Sequence, residues 1–163
     1  MRQRARPRST ATYVGRLLLP VTIIVVASAT ASGAGIQFRS AFDDSPLDVS
    51  PKAGETLSPA VQIFHQTGRN PYRDDDQAIA GGKRLYMMWC QGCHNPDANG
   101  RIGPSLIGDS YLYDRVATDV GMFEIIYGGA AGAMQSFKPR MSQDEMLRII
   151  AYVRSLKQSA AAR

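Results

Sequence analysis

The chain has 163 residues and a formal charge of +5, from 19 lysines and arginines against 14 acids. Residues 1–31 hold five arginines (Arg2, Arg4, Arg6, Arg8, Arg16) and no acid, so residues 32–163 carry 19 minus 5, or 14, basic groups against 14 acidic ones. The high pI belongs to the N-terminus, which removes the basis for nucleic-acid binding, and the length of residues 32–163 suits one domain with a modest core.

That N-terminus reads as an export signal. Behind the arginines, Leu17 to Ala29 is apolar except for Pro20, Thr22 and Ser28. Ala29-Thr30-Ala31 then fits small-x-small cleavage, with Ser32-Gly33-Ala34 as a second site. The run is short for a membrane span, which needs about 20 residues. The expectation is a signal at 1–31, a periplasmic mature chain and no stable membrane insertion. An uncleaved anchor extended from Val14 is the alternative.

Residues 32–74 form an N-terminal extension punctuated by Pro46, Pro51, Pro59 and Pro71, which forbid long regular elements. One short helix is expected within it. Ser58 is its N-cap, Pro59 takes the first position, Val61 and Phe64 share a face, and Gly68 terminates it. The rest is expected to wrap the surface, a disordered tail over 32–55 being the alternative.

The single domain proper is expected over 75–158, after that extension. Asp75 or Asp76 opens a helix in which Ile79, Gly82, Tyr86 and Trp89 recur at helical spacing and are expected to face inward. Glycine costs a helix about 1 kcal/mol relative to alanine, so Gly82 implies that another backbone approaches closely there. The helix runs into Cys90-Gln91-Gly92-Cys93-His94, the attachment signature for c-type haem. One turn sets both sulfurs along one porphyrin edge, each within reach of a vinyl group, and the next residue aims an imidazole at the iron. A zinc site needs four ligands, typically from two paired clusters; with two Cys and one further His (His65), zinc could be closed here only by an unusual set. A thioredoxin-like pair needs a βαβ context, which is absent. One covalent haem c is therefore expected, consuming both cysteines.

Residues 95–113 are rich in Asn, Gly, Pro and Asp and should loop over the haem. Within them lies Gly103-Pro104-Ser105-Leu106. Pro104 is either a plain turn proline or the carbonyl that accepts the proton on the other His94 nitrogen. Thr118 or Asp119 caps a third helix with Val120, Phe123, Ile126 and Tyr127 on one face, stopped by Gly128-Gly129. Tyr127 is either core packing or a hydrogen-bond donor to a haem propionate. The Gly-Ala loop 128–133 leads to Met134, 40 residues after His94 and flanked by small residues, the leading candidate for the second axial ligand. Met141 is the second choice; Met122 and Met146 read as core filling, Met87 and Met88 lie beside the Cys motif, and His65 reads as structural. Ser142-x-x-Glu145 is a capping box opening the last helix. Met146, Ile149, Ile150, Val153 and Leu156 form its apolar stripe, with Arg148, Arg154 and Lys157 outside. Residues 159–163 are a C-terminal tail. No strand pattern is present, so the fold class is all-α.

Gly82-x-x-x-Tyr86-x-x-x-Cys90-x-x-Cys93-His94, Gly103-Pro104-x-Leu106, Met134 and Ala151-Tyr152 together resemble a class I cytochrome c. The resemblance implies crossing first and last helices, loops wrapping a covalent haem, and a shared role for Gly82 and Tyr152. Thr67-Gly68-Arg69-Asn70-Pro71-Tyr72, Thr118-Asp119-Val120-Gly121-Met122-Phe123 and Tyr127-Gly128-Gly129-Ala130 resemble the cytochrome cL group more narrowly, over roughly residues 58–157. Residues 95–99 depart from that group's usual loop. The implied function is a soluble periplasmic one-electron carrier in methanol oxidation, not an enzyme. Its donor would be a PQQ-dependent alcohol dehydrogenase and its acceptor a downstream cytochrome c or oxidase. The implied site is Cys90, Cys93, His94, Pro104 and Met134, with His94 and Met134 on the iron. The alternative is a haem enzyme or gas sensor with an open distal site.

Overall fold

The computed structural model describes residues 35–108 and 110–161, excepting the side chains of residues 160 and 161; the signal expected at 1–31 lies outside the described residues. Helices α1 (Pro59–Thr67), α2 (Asp76–Trp89), α3 (Gln91–His94), α4 (Asp119–Gly128) and α5 (Gln143–Ala161) are joined by loops and one 3-10 turn (Asp114–Ala117). No strand occurs among the described residues, only an isolated bridge between Arg39 and Pro46. The fold is all-α, as expected.

Local chemistry places each helix start. Ser58 accepts from the Val61 N–H, Pro59 sits in the first turn, and Gly68 ends α1 at φ 69° with its N–H on the Phe64 carbonyl. Asp75 caps α2 by accepting from the Ala78 N–H, and Thr118 caps α4 through Gly121. The capping box on α5 closes in both directions, Ser142 N to Glu145 Oε2 at 2.7 Å and Glu145 N to Ser142 Oγ at 3.2 Å. The 3-10 turn had no such signal. Helix α5 continues to Ala161, past the expected start of a tail.

Helices α2 and α5 form the most extensive helix pair in the molecule. They cross where a Cβ on Gly82 would collide with the Arg148 carbonyl. The close approach inferred from that glycine is therefore present, and the atoms nearest to it belong to the Arg148–Ile149 backbone. Tyr152 packs edge-on against Tyr86, ring centroids 5.4 Å apart. Gly81 has only ordinary contacts at its would-be Cβ, the nearest at 3.7 Å. Gly82→Ala should therefore cost about 1–3 kcal/mol or more by overpacking. Gly81→Ala should be neutral or gain up to about 1 kcal/mol of helix propensity. Thermal unfolding of the two variants checks the pair.

Trp89, expected inward, is 41% exposed. It lies seven residues beyond the crossing, about 10 Å along the axis, where crossed helices have diverged, and its ring meets Phe137 edge-on at 6.2 Å. Arg154, expected outside, is buried: its Nε lies 2.8 Å from Asp119 Oδ1, and its Nη2 donates to the Val116 carbonyl at 2.9 Å. Helix α4 is buried from Gly121 through Tyr127 while Val120 is half-buried, so no single apolar face describes it. Its Glu124 is satisfied by Arg115 Nη1 at 3.0 Å and the Arg39 N–H at 2.7 Å.

The N-terminal extension joins the same core. Phe38 is buried among Phe64, Phe123 and His65, with ring centroids 5.7, 5.2 and 5.1 Å away. The Gln143 amide donates to the Val49 carbonyl at 2.9 Å, so its oxygen accepts from His65 Nε2 at 2.7 Å. These bonds account for the ordered wrap over residues 35–57.

Asp144 ties α1, the following loop and α5 together. It accepts from the Ser58 and Tyr72 hydroxyls at 2.6 Å each and from Arg148 Nε at 2.8 Å. Burial pushes its carboxyl up, but these donors and the Arg148 charge outweigh that and hold it below the ordinary value. A carboxyl depressed in the fold adds stability above its unfolded pKa of about 3.9. That increment is lost as the pH falls through the lower folded value. Denaturant midpoints between pH 6 and pH 2 should drop more steeply for wild type than for Asp144→Asn.

Candidate haem-binding site

Cys90 caps α2, and α3 follows at once, with the Cys93 and His94 N–H groups bonding the Cys90 carbonyl at 3.1 and 3.0 Å. This short turn puts Cys90, Cys93 and His94 on the wall of one cavity of about 310 Å³. Cys93 is exposed and Cys90 half-buried. Burial, then the neighbouring Cys93, pushes the Cys90 thiol up to about 12, a titration that thioether formation would abolish.

The loop after α3 is held against the histidine. Gly103 N–H bonds the Cys93 carbonyl at 2.9 Å, and Leu106 N–H the Ala98 carbonyl at 2.8 Å. A Cβ on Gly103 would lie 2.6 Å from His94 Cε1, so only glycine lets the loop rest on the ring. His94 Nδ1 lies 2.8 Å from the Pro104 carbonyl. A carbonyl can only accept, so Nδ1 carries the proton and the Nε2 lone pair is left free. Tyr86 also lines the cavity and donates its hydroxyl to the Asn95 carbonyl at 2.7 Å. Burial, then Cys90, Tyr152 and Asp97, raises its phenol well above the usual value.

Across the loops, Met134 lines the same cavity, as do Ala130 through Ala133. Gly129, at φ 86°, and the Ala130 N–H to Met134 carbonyl bond of 2.9 Å close this turn. Met122 also lines the cavity, from within α4. Met141 and Met146 are buried in the core; neither they, Met87, Met88, His65 nor Tyr127 contributes to the wall. Tyr127 stacks on Phe123 at 5.4 Å instead.

The wall is mostly apolar, with Leu106, Ile125, Ile126, Ile149 and Val153 among its residues, and His94 is its only His, Asp, Glu, Lys or Arg among the described residues. Nor do three His, Cys, Asp or Glu side chains converge on a bare metal site among them. The donor set suits a flat apolar macrocycle held by two thiols and one imidazole. At the mouth, Ile102 and Leu112 are 73% and 71% exposed. Sequence reasoning missed these two, together with Tyr86 as a wall residue, Tyr111 and Tyr113. Tyr86 stands one helical turn before Cys90 on α2, a spacing that could have marked it, whereas loop closure brings the other four to the cavity.

Comparison with known proteins agrees with this architecture. A family model described as cytochrome C oxidase, cbb3-type, subunit III, matches residues 77–153. Cytochrome c-L of Methylorubrum extorquens is 41% identical over 123 residues, covering 75% of this chain and 62% of that protein's length. The chain thus spans somewhat under two thirds of that relative. The crystal structure of cytochrome cL from Methylophaga aminisulfidivorans superposes with a TM-score of 0.71 at 42% identity, covering 74% of this chain and 80% of that one. Cytochrome cL from Hyphomicrobium denitrificans gives 0.69 at 37% identity, covering 74% and 73%. Such identity across most of two solved chains sharing the class I cytochrome c fold places this protein in the cytochrome cL family, whose cytochrome c character implies covalently bound haem c.

Proposed function

We propose that the protein is a periplasmic one-electron carrier. Its donor is a PQQ-dependent alcohol dehydrogenase, methanol dehydrogenase in particular, and its acceptor a downstream cytochrome c or oxidase. Cys90 and Cys93 would hold one haem c through thioethers, with the His94 imidazole and the Met134 thioether available to bind its iron. Haem c, when bound, supplies a one-electron iron couple. The carbonyl of Pro104 fixes the His94 tautomer and raises the basicity of the ring, as outer-shell acceptors do. The Met134 thioether favours the reduced state and raises the potential. Ile102 and Leu112 offer an apolar contact at the cavity mouth, the kind of surface a transient partner buries at the centre of an interface. Export follows from the signal read at residues 1–31.

One observation carries the choice of carrier over haem enzyme. The described cavity wall gathers Cys90, Cys93, His94 and Met134 and holds no second histidine, carboxylate or cation to move protons at a substrate. Peroxidase-type chemistry requires such a positioned acid–base group, and His65 is engaged by Gln143 outside the cavity.

Stopped-flow mixing of the oxidised, haem-loaded protein with a reduced PQQ-dependent methanol dehydrogenase tests the assignment. Reduction should follow at a rate proportional to dehydrogenase concentration. Absence of reduction at every ionic strength removes the donor.

A further inference from the structure

Beside the haem cavity lies a second, larger cleft of about 690 Å³, and Tyr111 lines both. Four cations line this cleft, and their bonding differs. Arg154 is neutralised by Asp119 at 2.8 Å. Lys157 donates to the Gly108 carbonyl and the Tyr111 hydroxyl, each at 3.0 Å, both neutral acceptors, and forms no ion pair among the described residues. Arg69 and Arg73 are exposed, and their guanidinium groups have no partner among the described residues. Asp74 is the single acid of the described lining without a cation. Among the described residues, the cleft therefore holds three cations outside any ion pair against one such acid. It also presents bare apolar surface, since Ile63 is 46% exposed there.

We infer that this cleft receives an acidic segment of an electron-transfer protein, with carboxylates meeting Arg69 and Arg73 and an apolar side chain set against Ile63. The inference rests on the carrier reading above. Residues 32–163 balance to zero formal charge, so the field of the whole molecule steers weakly. A cluster of cations then acts within a Debye length of about 8 Å at physiological salt, which is the range of docking and not of long-distance capture. A free small anion would leave Ile63 unused, whereas a polypeptide segment uses both the charge and the apolar surface. The shared Tyr111 wall sets a partner seated in the cleft next to the redox centre. Arg69 and Arg73 hold nothing else in place, so their removal leaves the fold intact.

The test uses the reduced, haem-loaded protein and two outer-sphere oxidants, anionic hexacyanoferrate(III) and cationic tris(phenanthroline)cobalt(III). Each takes one electron from the haem iron. Charge steering changes such rates by roughly 10–10³-fold. At low ionic strength, Arg69→Ala/Arg73→Ala should slow the hexacyanoferrate reaction about 3- to 10-fold, within that scale, without slowing the cobalt reagent. The control Lys83→Ala/Arg84→Ala removes the same charge from exposed positions on α2 outside the cleft and should leave the ratio of the two rates unchanged. The peptide Glu-Glu-Leu-Glu-Glu should inhibit hexacyanoferrate oxidation of wild type but not of Arg69→Ala/Arg73→Ala.

Equal slowing by both double variants would assign the effect to net charge and overturn the proposal. No slowing by the cleft variant overturns it as well. Slowing without any protection by the peptide reduces the cleft to a small-anion site and overturns the protein partner. A methanol dehydrogenase that fails to reduce the protein removes that donor while leaving these reagent rates, and the cleft, standing.

Discussion

Replacing Met134 by alanine should abolish the weak red Fe–S(Met) band of the oxidised protein and lower its reduction potential. Methionine sulfur stabilises the reduced iron, and axial-ligand identity spans about 0.8 V across haem proteins. A fall on the order of 0.2 V is a fair share of that range. The side chain sits on a cavity-lining loop closed by the bond from the Ala130 N–H to its own carbonyl, so the backbone should tolerate its truncation and the haem should stay attached. Two controls separate ligation from packing. Met141→Ala removes a side chain 3% exposed within the core and should cost about 2–5 kcal/mol of stability while the band survives. Met122→Ala truncates the other cavity-lining methionine, held within α4, and should also keep the band. Loss of the band in either control, with survival in Met134→Ala, reassigns the ligand. Survival of the band in all three assigns the sulfur to another methionine, whereas its absence from wild type removes methionine ligation and with it the main support for a carrier.

What was legible in the sequence was mostly short-range. Ser58 with Gly68, Asp75, Thr118 and Ser142 with Glu145 marked helix ends because a cap is a bond between residues two to four apart. The haem motif was legible for the same reason, since its two thiols and imidazole occupy five consecutive residues. Gly82 went further and announced a tertiary contact, because a mid-helix glycine is a standing cost that some neighbour must explain. The neighbour's identity was not legible: any backbone would demand the same glycine, and it is the Arg148 carbonyl that arrives nearest.

The failures share a long-range cause. Arg154 sits next to Val153 in the apolar stripe and reads as a surface cation until Asp119, 35 residues earlier, is brought to it. Glu124, which no sequence signal singled out, is buried because Arg115 and the Arg39 N–H close around it. Phe38 stands in a proline-punctuated stretch with no periodicity, and only the ring cluster with Phe64 and Phe123 makes it core. The cavity mouth is likewise a product of loop closure, which sets Ile102 and Leu112 on one rim from ten residues apart.

The Arg154–Asp119 pair should be the most damaging single ion pair to break. The two side chains are only 6% and 9% exposed, so neither charge can turn to water when its partner is removed. Breaking such a buried pair costs about 3–5 kcal/mol, mainly from the charge left unpaired. At a few degrees per kcal/mol for a chain of this size, Asp119→Ala should lower Tm by roughly 10 °C or more. Part of that loss has a second source, since Asp119 is also the acid in the first turn of α4, worth about 0.3–1 kcal/mol against the helix dipole. Removing both charges distinguishes the two. In Asp119→Ala/Arg154→Met no buried charge is left alone, so most of the stability should return, short of the dipole contribution. The more solvated i,i+4 pair Arg148–Asp144 offers the contrast, its side chains being 32% and 24% exposed. Because Arg154 also holds the carbonyl of Val116, a cavity-wall residue, Asp119→Ala should disturb the haem environment before global unfolding. A Soret shift preceding the loss of helical circular dichroism on heating would show it. If Asp119→Ala melts within a degree or two of wild type, the pair is solvated in solution and its burial carries no stability.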